Sequence, residues 1–127
     1  MDGRRTLAVA GILIALATAF GALGAHALKA HLSQDKLQVF ETAVRYHFLH
    51  ALGLLAIGVL LRSMDSGLLR WSGMLILAGV ILFSGSLYLL TFGWTFAVPR
   101  LVGISTPIGG LALIAGWILF AVTVLRR

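Results

Sequence analysis

The chain has 127 residues, 60% of them hydrophobic and only 11% charged, with a net charge of +6 and no cysteine; its mean hydropathy is +1.03. A soluble globule carries about a quarter charged residues, so this chain lacks the polar surface to cover one, and in water its apolar faces would aggregate. The absence of cysteine excludes disulfides, thiolate catalysis and Cys-ligated zinc or iron–sulfur centres. The basic residues stand singly or in pairs at the ends of apolar runs, which argues against nucleic acid as a partner.

A lipid bilayer tolerates such a composition, and a spanning helix needs about 20 mainly apolar residues. The first such run extends from about Leu7 to Ala27. Arg4 and Arg5 precede it and Ala25-His26-Ala27 imitates a signal-peptide cleavage box. The run is longer than a signal core and three more spans follow, which favours an uncleaved helix. Gly11, Ala15 and Ala19 recur at four-residue spacing, with a second row at Ala17, Gly21 and Ala25. Small residues let helices approach closely in lipid, so one row can face the bundle and the other a second copy.

The most polar stretch follows, Lys29 to Arg45. Ser33 suits an N-cap, Asp35 complements the helix dipole, and Leu37, Phe40 and Val44 recur on one face. This predicts a short interfacial helix, either lying among the headgroups or running straight into the second span. That span covers about Ala43 to Leu61, and the third about Trp71 to Phe92, with Gly73, Gly79 and Gly85. The fourth covers about Pro107 to Leu125, with Ala112 and Gly116; Pro107 suits a first helical turn and Thr106 its cap. The expected fold is therefore an all-α membrane protein. It is one integral membrane domain over residues 1–127, a four-transmembrane-helix up-and-down bundle with a short interfacial helix between spans 1 and 2.

Four spans put the termini and the Arg62–Arg70 loop on one side, with six arginines. The other side carries Lys29, Lys36, Arg45 and Arg100 beside Asp35 and Glu41, so the bias favours cytoplasmic termini. Tyr46, Phe92, Trp94 and Phe96 then fall near the outer interface and Trp71 near the inner one, as aromatic belts do. Trp117 falls deep in the fourth span, where its indole N–H wants a partner.

Polar groups inside spans are costly and mark functional hypotheses. Under this topology His26, Tyr46, His47, His50, Ser84, Ser86, Tyr88 and Thr106 collect toward the outer leaflet, and the inner half is nearly devoid of polar side chains. The histidines are compatible with haem, copper or zinc, and equally with hydrogen bonds to backbone carbonyls or headgroups. Ser84 or Ser86 with His50 is conceivable as a nucleophile and base, but no acidic residue stands at the same depth to orient them. The structural reading is preferred for both, and no catalytic, cofactor or metal site is assigned.

Several segments together resemble a known family. They are Gly21-Ala22-Leu23-Gly24-Ala25-His26-Ala27-Leu28, Phe40-Glu41-Thr42-Ala43, Tyr46-His47 with His50-Ala51-Leu52, Leu82 to Tyr88, and Thr106-Pro107-Ile108-Gly109-Gly110 with Gly116-Trp117. In this order, over nearly the whole chain, they resemble the YgdD family of small membrane proteins, domain of unknown function 423, which includes the eukaryotic transmembrane protein 256 relatives. His47 stands where the family usually has glutamine, and Ser105 replaces an apolar residue. The first departure leaves His26 and His50 as the better pair for any shared metal site. The resemblance implies four spans and carries no activity.

The expectation is a multi-pass protein of a bacterial cytoplasmic (inner) membrane, non-enzymatic, acting through membrane lipids, a second copy or another membrane protein. A small homo-oligomeric transporter or channel is the alternative and would need a polar path through both leaflets. A histidine-ligated haem or metal protein is the second alternative.

Overall fold

The computed structural model describes residues 1–93 and 99–127. Four helices, α1 (Gly3–His26), α2 (Gln34–Ser63), α3 (Gly67–Thr91) and α4 (Pro99–Leu125), follow one another, with a 3-10 turn at Leu28–Ala30 between the first two. All four are long and apolar enough to cross a membrane. The protein is an all-helical, four-span membrane protein. Trp94 and Phe96, expected in the aromatic belt, lie outside the described residues.

Local chemistry sets the starts of α1, α2 and α3. Asp2 caps α1 by accepting the Arg5 backbone N–H at 2.8 Å, a bond that holds its carboxyl below the usual carboxylate range. The helix therefore begins ahead of the apolar run, at Gly3. Ser33 caps α2 as its position suggests, accepting the Lys36 N–H at 3.3 Å, and Asp35 lies in the first turn. Ser66 caps α3 in the same way through the Leu69 N–H. Asp65 and Arg70 form an ion pair across the tight α2–α3 connection. At the far end of α3, Gly93 has φ +72°, the left-handed conformation that glycine adopts without penalty just past a helix end.

The segment expected as a short interfacial helix is helical and has no break from the second span: α2 runs unbroken for 30 residues. Neither glycine nor proline occurs between Gln34 and Leu52, so nothing in the chain interrupts it. At ~1.5 Å per residue, α2 is about 45 Å long and exceeds a ~30 Å hydrocarbon core.

The start of the fourth helix requires a correction. Thr106-Pro107 is not where it begins; α4 starts at Pro99 and passes through Pro107. The first-turn proline is Pro99, not Pro107. Thr106 does not cap α4: its Oγ1 lies 2.5 Å from Ser86 Oγ on α3. Pro107 has no N–H to offer the Gly103 carbonyl, a loss that breaks many helices in water. In lipid an unwound backbone has no water to bond, so the remaining hydrogen bonds and packing carry the helix past the ring.

Close packing follows chain order: α1 on α2, α2 on α3, α3 on α4. This makes α2 and α3 the middle of the bundle and α1 and α4 its flanks. The core comprises Ile57, Leu69, Ile76, Val80 and Leu113, with Phe83, Trp117 and Phe120 against it. Large apolar side chains such as Ile12 (62% exposed) and Leu111 (66%) face outward, where lipid replaces water.

Buried small residues recur every seven positions. Gly3, Ala10, Ala17 and Gly24 do so on α1, and Ser72, Gly79 and Ser86 on α3. Val102, Gly109, Gly116 and Thr123 do the same on α4. A seven-residue seam belongs to near-parallel helices crossing at about 20°. Of the four-residue rows read from the sequence, Ala17 is buried but Gly11, Ala15 and Ala19 face outward.

The tightest approach is α3 on α4. A Cβ at Gly79 would stand 2.6 Å from Leu113 Cγ and 2.9 Å from the Gly109 carbonyl oxygen, and one at Gly109 would strike the Phe83 backbone. By contrast, Gly85 has open space at its Cβ position. Gly109→Ala should therefore destabilise the bundle by about 1–3 kcal/mol, because the obstructing atoms are backbone. Gly85→Ala should be neutral or stabilising. Thermal unfolding of both variants in the same detergent checks this, and equal midpoints would refute the seam.

Candidate functional site

Seven of the eight polar residues grouped by sequence occupy three separate environments, and His26 stands apart from them. His26 closes α1, exposed, with Nδ1 2.9 Å from the Ala22 carbonyl oxygen one turn back. Gly24 of α1 lies against Phe40 of α2, and His50 is ten residues further along α2. That is about 15 Å at ~1.5 Å per residue, whereas a metal binds imidazole nitrogen at about 2 Å. The bundle thus separates His26 from His50. Among the described residues no group of three or more His, Cys, Asp or Glu side chains could hold a metal ion.

The first environment lies between α1, α2 and α3 and centres on His47, 4% exposed. Its Nδ1 is 2.8 Å from the Tyr88 hydroxyl oxygen. Helical side chains lean toward the N-terminus of their own helix. In antiparallel neighbours they lean toward each other, so Tyr88 and His47 meet. Phe20 packs on Tyr88 with ring centroids 4.8 Å apart, and Phe40 at 5.6 Å. If the Tyr88 O–H donates to Nδ1, the neutral ring carries its proton on Nε2. Nε2 has no partner at hydrogen-bonding geometry among the described residues, although the Leu13 backbone across in α1 interacts with the ring.

The second environment holds the hydroxyls that fasten helices. The buried Ser84 Oγ donates to the Ala43 carbonyl at 2.9 Å, joining α3 to α2. The Ser86 Oγ donates to the Phe83 carbonyl at 2.8 Å and faces Thr106, joining α3 to α4. Neither serine meets His50, whose Nδ1 lies 2.7 Å from the Tyr46 carbonyl oxygen.

In the third environment Tyr46 stacks on His50 (centroids 5.8 Å, planes 13° apart) and packs against Phe83 at 4.8 Å. His50 in turn faces Trp117, 6.1 Å away. Trp117, the exception to the aromatic belt, lies directly on α2 where Gly53 has no side chain.

Sequence reasoning missed Ser72, whose buried Oγ donates to the Gly116 carbonyl at 2.8 Å. It also missed the buried Thr6 and Thr123, which bond carbonyls four residues back in their own chain. The half of the bundle near the termini therefore does hold polar side chains. The available signal was the seven-residue spacing from Ser72 through Gly79 to Ser86 on α3.

Glutamine at position 47 would present an acceptor and a donor much as the imidazole does. His47→Gln should therefore cost less than about 1 kcal/mol, whereas Tyr88→Phe strands a buried ring nitrogen and should cost about 1–3 kcal/mol. Unfolding midpoints in detergent check this; a Tyr88→Phe protein as stable as the parent would show that the bond contributes nothing.

Comparison with known proteins agrees with a membrane protein. A family model described as "Protein of unknown function (DUF423)" matches residues 20–110. The UPF0382 membrane protein SH2409 of Staphylococcus haemolyticus is 42% identical over 106 residues, 84% of this chain and 83% of that protein. The UPF0382 membrane protein YwdK of Bacillus subtilis is 39% identical over 112 residues, 87% and 88% of the two chains. The UPF0382 inner membrane protein YgdD of Escherichia coli K12 is 33% identical over 126 residues, 99% and 93%. No solved structure matches. With a family match across most of its length and relatives covered nearly end to end, the chain belongs to the DUF423 family of UPF0382 membrane proteins, whose function is unknown.

Proposed function

We propose that this chain is a non-enzymatic protein of a bacterial inner membrane that works through lateral contacts with lipids and with a membrane-protein partner or second copy. The inner-membrane placement follows the printed name of the E. coli relative. The observation that carries the reading is the use made of the hydroxyls within the bundle. Ser72, Ser84 and Ser86 bond carbonyls on their own or a neighbouring helix and so serve packing. Among the described residues, the surface left for recognition is the lipid-facing sides and the charged end where α1 passes into α2, since the α2–α3 connection is only residues 64–66.

The arginine bias supports an orientation with that charged end on the outer side of the membrane and both termini in the cytoplasm. Because the chain has no native cysteine, single cysteines report on this directly. With a membrane-impermeant maleimide on intact cells, Gln38→Cys should label and Ser66→Cys should label only after lysis. The reverse pattern would turn the charged end to the cytoplasm. For lateral contact, a photo-crosslinker placed at exposed Leu111 should capture a defined protein or lipid adduct. Diffuse labelling proportional to bulk lipid would remove the support for a specific contact.

A further inference from the structure

Two of the segments that carried the family resemblance converge on one feature that the polar cluster does not use. A cavity of about 210 Å³ opens between the last turns of α1 and the early turns of α2. Gly21, Gly24 and Ala25 line it from α1, Phe40 and Val44 from α2, and Glu41 and Arg45 complete it. The volume is below the roughly 300 Å³ at which sites for drug-sized molecules begin, so it suits a headgroup rather than a whole ligand.

Its charges are arranged for a zwitterion. Glu41 and Arg45 are four residues apart on one helix face, a spacing and order that favour a mutual ion pair. Both are exposed and they are not paired: among the described residues the ion pairs are Asp2–Arg5 and Asp65–Arg70. The cavity wall is also the C-terminal end of α1, where the helix dipole is negative and favours a cation. One acid, one base and a negative helix end therefore face the same small space.

Its depth fits as well. From Gly3 to His26, α1 is 24 residues long, about 36 Å at ~1.5 Å per residue, so its end stands at headgroup level when the rest fills a ~30 Å core. The room exists because the α1 side chains are small. A Cβ on Gly24 would meet the Phe40 ring at 2.7 Å, whereas one on Gly21 would make ordinary contact with Val44 at 3.6 Å. Ala25 is exposed, so a larger side chain there would enter the cavity without disturbing the core.

We infer that this cavity binds the phosphoethanolamine headgroup of a membrane phospholipid, its phosphate on Arg45 and its primary ammonium on Glu41, with Phe40 and Val44 against the glycerol and upper acyl carbons. A purely anionic headgroup would satisfy Arg45 and be repelled by Glu41. A choline headgroup has no N–H to donate to Glu41. The assignment names one of the lipids in the lateral-contact reading and rests on it only in placing this end of the bundle at a membrane surface.

The test is native mass spectrometry of the full chain released from bilayers of equal parts phosphatidylethanolamine, phosphatidylglycerol and phosphatidylcholine. The parent should retain phosphatidylethanolamine over either competitor by about fivefold, the scale of one exposed ion pair. Glu41→Gln should abolish that preference in favour of phosphatidylglycerol, Arg45→Gln should lose both lipids, and Ala25→Phe should block the cavity. The two neutral variants change exposed side chains and keep the test open should Ala25→Phe fail to fold, which circular dichroism will show. Equal retention of the three lipids by the parent, or an unchanged preference in Glu41→Gln, overturns the site. A crosslink at Leu111 that survives in the same variants would show that the broader lateral-contact reading stands without it.

Discussion

Four apolar helices in lipid gain nothing by hiding oil from water, so their association depends on how closely their backbones approach. The constraint is most severe where Gly109 of α4 meets the Phe83 backbone of α3, with Gly79 and Gly116 on the same seam. There the Gly116 carbonyl is near enough for Ser72 to bond it, and Ser86 and Thr106 meet further along. Those hydroxyl contacts require the close approach. The α3–α4 seam in turn sets where Trp117 lies over Gly53 and so how α4 meets α2.

The α1–α2 pair obeys the same rule with different chemistry. Gly3 lies against the Gly58 carbonyl at one end, and Gly24 lies against Phe40 at the other. The glycine and alanine that let the helices meet also leave space beside Phe40, and the unbroken course of α2 brings Glu41 and Arg45 to that space. A kink near Phe40 would have laid those charges in the headgroup plane, away from α1. The continuity of α2 is thus what makes that end of the bundle a shaped surface.

The histidines illustrate how tertiary structure redistributes residues that look equivalent along the chain. His47 and His50 are three residues apart, yet one is buried against Tyr88 between α1 and α3 and the other faces Trp117 on the α4 side. Three residues turn a helix through about 300°, and α2 is central, so each direction meets a different neighbour. His26, at the end of α1, lies some three turns away in depth. Sequence placed the three near one interface; the bundle assigns each to different partners.

The membrane class, the number of spans and the caps at Ser33 and the α2 dipole residue Asp35 were legible in the sequence, because they depend on hydropathy over about 20 residues or on groups within one turn. The family motifs were legible for the same reason: they are contiguous. The course of α4 through Pro107 was not, since a rule learned from water gives proline a cost that lipid offsets by offering the backbone no alternative partner. Nor was the seven-residue seam distinguishable from the competing four-residue rows, because Gly11-Ala15-Ala19 and Gly3-Ala10-Ala17-Gly24 are equally small and only packing decides which one faces a neighbour. The pairing of His47 with Tyr88, and the convergence of Gly24 with Phe40 and Glu41, join residues distant in sequence or on different helices. Those relations exist only once the antiparallel register of the helices is set, and it is set by contacts between backbones that the order of side chains does not specify.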